Sequence, residues 1–310
     1  MRKNKYFFVL CMLLAISLAG GIFTKAYARL EDREGEGGLR VVTSFYPVYI
    51  AALNVVGDSR SVELENLSEP QTGCLHDYQL TPQDMILLSK ADLFLVNGGG
   101  IEGFLADVGE SYPDLVIVEA AEGIRLLEES GAGHAEGVNA HGWMDTQIYI
   151  KMVGNIADQI CALDPDHTEA YRENAQAYCE KVQGLSGQIS EIEKALEQNG
   201  QPSNVVILHE AYAYVAKQYG LHTAYCLNLD EERQVSAREV AEVMEEIAEN
   251  QVAVVFAEEL YGKDMGNTIE AETDCTVCYL DPLVRGGYEP DSYLSVMQKN
   301  IDNIRLAFLR

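Results

Sequence analysis

The run DPDHTEAYRENAQAYCEKVQGLSGQISEIEKALEQNG, residues 164–200, decides the architecture. Tyr171, Ala175, Tyr178, Val182, Leu185, Ile189, Ile192 and Leu196 recur at alternating spacings of four and three. That period places every apolar residue on one face of a helix. Asp164-Pro165 is a helix start, and Asn199-Gly200 is a stop. Gly184 and Gly187 weaken the helix without having to break it. At 1.5 Å per residue such a helix is about 50 Å long, more than one small lobe needs. The stretch therefore predicts a spine between two bodies. The alternative is a helical hairpin broken near Gly184.

On both sides of the spine, short apolar runs alternate with amphipathic ones. Before it, strands are expected over 40–43, 61–67, 92–97 and 115–119, and helices over 47–56, from Pro82, over 101–112 and over 146–162. After it, strands are expected over 205–208, 222–227, 252–257 and 275–280, and helices over 211–219, 236–250, 262–271 and 291–309. Thr81 with Pro82 and Asp84, and Ser236 with Glu239, are helix-start signals. Strand–helix alternation with β-branched runs implies an α/β fold. We expect two similar lobes, each a four-stranded parallel-type sheet with flanking helices. The expected division is an N-terminal lobe over 39–163, the linking helix over 164–199 and a C-terminal lobe over 200–310.

The N-terminus has the pattern of an export signal. Arg2, Lys3 and Lys5 precede an apolar stretch from Tyr6 to Phe23, and Ala26-Tyr27-Ala28 fits a cleavage site. Residues 1–28 are thus expected to be a cleavable signal peptide, with an N-terminal membrane anchor as the alternative. A polar tether, 29–38, follows. The formal net charge is −27, which argues against nucleic acid, because phosphate contacts need clustered Lys and Arg. Seven cysteines are present. Cleavage removes Cys11, and the remaining six are expected as buried thiols, or with one disulfide that includes Cys226. Cys275-Thr276-Val277-Cys278 lacks the second pair that a zinc knuckle needs.

Four residues stand where apolar or small-residue runs turn polar: His76, His141, His209 and Asp281. His209 ends Val205-Val206-Ile207-Leu208, and Asp281 ends Cys278-Tyr279-Leu280. In open α/β sheets, ligands bind beyond the carboxyl ends of the strands. Three imidazoles and one carboxylate are a donor set suited to zinc. Asp145 is expected to cap the next helix and is also available to orient an imidazole. Glu258 is a reserve fourth ligand, and His134, in a Gly-rich loop, is a place of transient metal capture. His167 and His222 are expected to be structural or exposed.

Taken together, His76-Asp77-Tyr78 with Pro82 and Asp84, Asn139 with His141, Trp143 and Asp145, His209 with Ala211-Tyr212, and Tyr279-Leu280-Asp281-Pro282-Leu283 resemble a known family. The chain is similar to the zinc- and manganese-type (cluster A-I) solute receptors of bacterial ABC transporters, over roughly Leu39 to Arg310. The resemblance implies a metal held between two lobes joined by a long rigid helix. It also implies a membrane ABC permease as partner, a periplasmic or cell-surface location and no enzymatic activity. A monomer is expected. In that family a carboxylate at the third position goes with manganese, so His209 points to Zn2+, with Mn2+ as the alternative. A rival reading is a secreted zinc hydrolase with a three-histidine site and Glu258 or Glu210 as base. A third is an adhesin or a metal store with no permease.

Overall fold

Thr168–Gln198 forms one unbroken α-helix, and all eight residues of the predicted stripe are buried along it. A 3-10 turn, Pro165–His167, leads into it. A Cβ added at Gly184 or Gly187 would meet nothing within 4 Å. Both glycines therefore face open space, and their cost of about 1 kcal/mol each is offset by the buried stripe. The helix does not break into a hairpin.

The computed structural model describes residues 38–69, 78–129, 137–200, 202–229 and 234–309. Arg40–Arg310 forms one compact unit. In chain order its first half contains β1 (Leu39–Thr43), α1 (Tyr46–Val56), β2 (Val62–Asn66), α2 (Pro82–Leu88), β3 (Leu93–Val96), α3 (Leu105–Ser111), β4 (Val116–Glu119), β5 (Leu127–Glu128), β6 (Val138–Asn139) and α4 (Thr146–Leu163). The spine is α5. Beyond it come β7 (Asn204–Ile207), α6 (Tyr212–Gln218), β8 (His222–Cys226), α7 (Ala237–Glu249), β9 (Val254–Ala257), α8 (Glu259–Glu272), β10 (Thr276–Tyr279) and α9 (Ser292–Phe308).

The strands form two four-stranded sheets, ordered β2-β1-β3-β4 and β10-β9-β7-β8. Parallel pairing sets Val41 opposite Leu93 in the first and Val206 opposite Val255 in the second. Parallel strands covered on both faces must be apolar throughout, and β3 and β9 are buried at every residue. In the second lobe Val206, Val255, Val243 and Ile269 form a core with no exposure. Each order reverses direction once, between β1 and β3 and between β7 and β9. Such reversals open a crevice at the carboxyl ends of the strands.

Local chemistry explains the helix starts. Thr81 and Asp84 form a reciprocal capping box on α2, and Ser236 and Glu239 form another on α7. Asp145 caps α4 by accepting from the Gln147 and Ile148 N–H groups at 2.8 and 3.2 Å. The helix expected from residue 101 begins only at Leu105. The chain before it turns through Gly98, Gly99 and Gly100, all at positive φ. That turn brings the Glu102 carboxylate inward, where it accepts from the Asn97 and Gly98 N–H groups. A small antiparallel hairpin, β5–β6, also appears; each of its strands has only two residues, too few to show a period. Among the described residues no two cysteines are joined, and Cys161, Cys179, Cys275 and Cys278 are free thiols. Cys275 instead donates its thiol to the Val252 carbonyl.

Candidate metal centre

His141 lies two residues beyond Asn139, which ends the hairpin strand β6. It does not end a strand of the main sheet, and its side chain is fully buried. The Asn139 carboxamide organises it. Asn139 Oδ1 accepts from the His141 backbone N–H at 3.1 Å and lies 3.0 Å from the ring Nδ1. Glu210 Oε1 stands 3.4 Å from the same nitrogen. The sequence suggested Asp145 for this orienting role; the structure puts Asn139 and Glu210 there. They were missed because nothing local links residues 139 and 210, although Asn139 belongs to the stretch that carried the resemblance.

Several hydrogen bonds hold this loop against the second lobe. The Tyr214 hydroxyl donates to the Asn139 carbonyl at 2.6 Å and accepts from the Leu127 N–H. Asn139 Nδ2 donates to the Glu210 carbonyl at 2.9 Å. Trp143 packs 5.0 Å from the His141 ring and edge-on to Phe45. Its indole N–H donates to the Pro282 carbonyl at 2.9 Å, one residue past Asp281. The Tyr293 hydroxyl donates to the Trp143 carbonyl.

His209 follows β7 by two residues, at the reversal in the second sheet. Its ring meets that of His141 edge-on, with centroids 5.1 Å apart. The two candidate imidazoles thus come together from opposite lobes. The Ala211 N–H donates to His209 Nδ1 at 3.0 Å. The Tyr212 hydroxyl donates to the Leu280 carbonyl at 2.6 Å, tying the helix after His209 to the residue before Asp281. Burial pushes that hydroxyl's pKa well up, and the Glu258 and Asp281 charges add to the effect.

Asp281 follows β10. Asn300 clamps its backbone by accepting from its N–H and donating to its carbonyl, at 2.9 and 2.8 Å. Its own Oδ1 accepts from the Leu283 N–H. Burial pushes the carboxyl pKa up, while that N–H, Arg285 and Lys299 pull it down. The carboxylate lines a cleft of about 610 Å³ shared with Glu258, Arg285 and Lys299. Glu258 is buried at the start of α8 and paired with Arg285 at 3.3 Å. His76 and His134 lie outside the described residues. Among the described residues, no group of three or more His, Cys, Asp or Glu side chains is set to hold a metal. His167 pairs with Asp164 on the surface, and His222 is exposed at the start of β8.

Two α/β lobes joined by one long helix, with His141 and His209 meeting at their seam, have the plan of a two-lobed solute receptor. Residues 41–307 match the family described as zinc-uptake complex component A, periplasmic (ZnuA), and the chain belongs to that family of metal-binding ABC-transport receptors. It is 28% identical over 319 residues to the high-affinity zinc uptake system protein of Bacillus subtilis, covering 98% of this chain and 97% of that one. It is 29% identical over 308 residues to a manganese-binding lipoprotein of Halalkalibacterium halodurans, covering 97% of each. The Zn(II)-bound ZnuA-like domain of Streptococcus pneumoniae AdcA superposes with a TM-score of 0.72 at 27% identity, over 88% of this chain and 100% of that one. The family consists of transport receptors rather than enzymes, and its partner is a membrane permease. Among the described residues, no helix is long and apolar enough to cross a membrane.

Proposed function

We propose that this chain captures zinc between its lobes through His76, His141, His209 and Asp281 and hands it to an ABC permease. The carrying observation is the contact of the His141 and His209 rings across the lobe seam. Three imidazoles favour zinc, whereas manganese prefers harder oxygen donors. The relatives' names include zinc, manganese and iron, and manganese is kept as the second reading. The neutral imidazoles and the carboxylate replace the ion's bound water. Acid protonates the imidazoles and releases the metal. We further propose that residues 1–28 are a cleaved export signal and 29–38 a tether. The lobes would span 39–163 and 200–310 with 164–199 between them, and the receptor would act as a monomer without nucleic acid.

Titration of the metal-stripped mature protein with zinc and with manganese tests this. Trp143 is the single tryptophan and packs against His141, so its fluorescence reports on the site. One tight zinc per chain supports the proposal. Preference for manganese replaces the metal but leaves the receptor. Failure to bind either metal tightly would sink the four-ligand model.

A further inference from the structure

We infer that the backbone of Glu210, in the second lobe, dictates which ring nitrogen of His141 is available to metal, with Asn139 as the intermediary. The inference rests on His141 being a ligand, as proposed above. A carbonyl oxygen can only accept a hydrogen bond. The Glu210 carbonyl, 2.9 Å from the Asn139 carboxamide, therefore faces its Nδ2. The carboxamide is planar, so its Oδ1 must point the other way, toward His141. There it meets the His141 backbone N–H at 3.1 Å and the ring Nδ1 at 3.0 Å. Oδ1 can only accept as well, so Nδ1 carries the proton. In a neutral imidazole the lone pair then resides on Nε2. The Glu210 carboxylate, 3.4 Å from the same Nδ1, is a second acceptor. It adds negative charge behind the ring and makes Nε2 a stronger donor to a cation.

Asn139 and Glu210 are thus positioning residues that span the seam. Asn139 comes from the hairpin of the first lobe. Glu210 is the neighbour of His209 in the second. The donor state of one lobe's histidine depends on where the other lobe stands. If the lobes part enough to break the Asn139–Glu210 contact, only the His141 backbone N–H still holds the carboxamide in this orientation, and rotation by half a turn costs less. The rotated carboxamide would offer Nδ2 to the histidine and favour the tautomer with its proton on Nε2. Lobe apposition and zinc affinity are therefore coupled through one side chain.

The test is zinc affinity of the full mature chain, by competition with a chromophoric chelator, with the His141 tautomer followed by long-range proton–nitrogen NMR. Asn139→Leu should weaken zinc about 10- to 100-fold and populate the Nε2-protonated ring. Asn139→Asp keeps an acceptor toward Nδ1, so it should retain the Nδ1-protonated ring and recover much of the affinity. Glu210→Gln should weaken zinc less than Asn139→Leu does. In a His141→Ala background the Asn139→Leu loss should vanish, because there is no ring left to orient. A loss that persists in that background, or an Asn139→Asp variant as impaired as Asn139→Leu, overturns the inference and leaves the metal site standing. If His141→Ala itself leaves zinc binding unchanged, the ligand assignment fails and this inference fails with it.

Discussion

Glu102 in the first lobe and Glu258 in the second are both buried near the carboxyl ends of their sheets, and the two are held in different ways. In the first lobe Glu102 is 3% exposed. It accepts from the Ser44 hydroxyl and from the Asn97 and Gly98 N–H groups, at 2.7, 2.6 and 3.1 Å. Two of these donors are backbone, fixed by β3 and its turn. In the second lobe Glu258 pairs with Arg285, a long side chain that also lies over the Tyr261 ring and lines the cleft beside Asp281. The first carboxylate staples loops whose next link is His141, since Asn97 Nδ2 donates to the Ala140 carbonyl. The second stands in a wall open to solvent. The first lobe therefore presents the proposed ligand His141 from a fully tied frame, and the second presents the proposed ligand Asp281 from one that a side-chain movement can alter.

The contrast is broken or sharpened by substitutions. The largest effect is expected from His141→Ala. A tight four-ligand zinc site contributes about 10–16 kcal/mol, so losing a buried ligand should weaken zinc roughly a thousandfold by chelator competition. Asp281→Ala should cost less, about a hundredfold, because the cleft admits water to replace the carboxylate. Equal losses would erase the distinction between the frames.

Glu102 gives an effect of similar size in the metal-free protein. Burial pushes its carboxyl up to about 7, against the opposing hydrogen bonds. A carboxyl raised on folding favours the native state most below its unfolded pKa, and that contribution is lost as pH rises through the folded value. Denaturant unfolding should therefore show a loss on the order of 3 kcal/mol between about pH 4.5 and 7 from this group. Glu102→Gln should flatten that part of the profile; an unchanged profile would show that the backbone donors fully compensate the charge. The smallest effect is expected at Gly184. Its φ is helical and its surroundings are open, so Gly184→Ala should add about 0.5–1 kcal/mol and leave zinc affinity unchanged.

These positions also show what the sequence could reveal. The spine was legible because eight buried residues repeat one spacing. The strands before His209 and Asp281 were legible because parallel strands buried on both faces are continuously apolar. His141 announced no such pattern: its strand has two residues, and only the surrounding Asn139, Trp143 and Asp145 marked it through resemblance. Its partnership with Glu210 joins side chains 69 positions apart by their numbering, across a seam that no local period encodes. The start of α3 was misplaced for a related reason: Glu102 turns inward to hydrogen-bond rather than continuing the helix, and a buried carboxylate has no periodic signature.

The unbroken spine has a calorimetric consequence. Along its length α5 packs on α1 and α4 from the first lobe and on α9 from the second. Melting either lobe strips one face from the same helix, and a helix stripped of its packing is only marginally stable in water. The two lobes should therefore share one heat-absorption peak, with equal calorimetric and van't Hoff enthalpies. In that sense a molecule with two sheets behaves as one thermodynamic body.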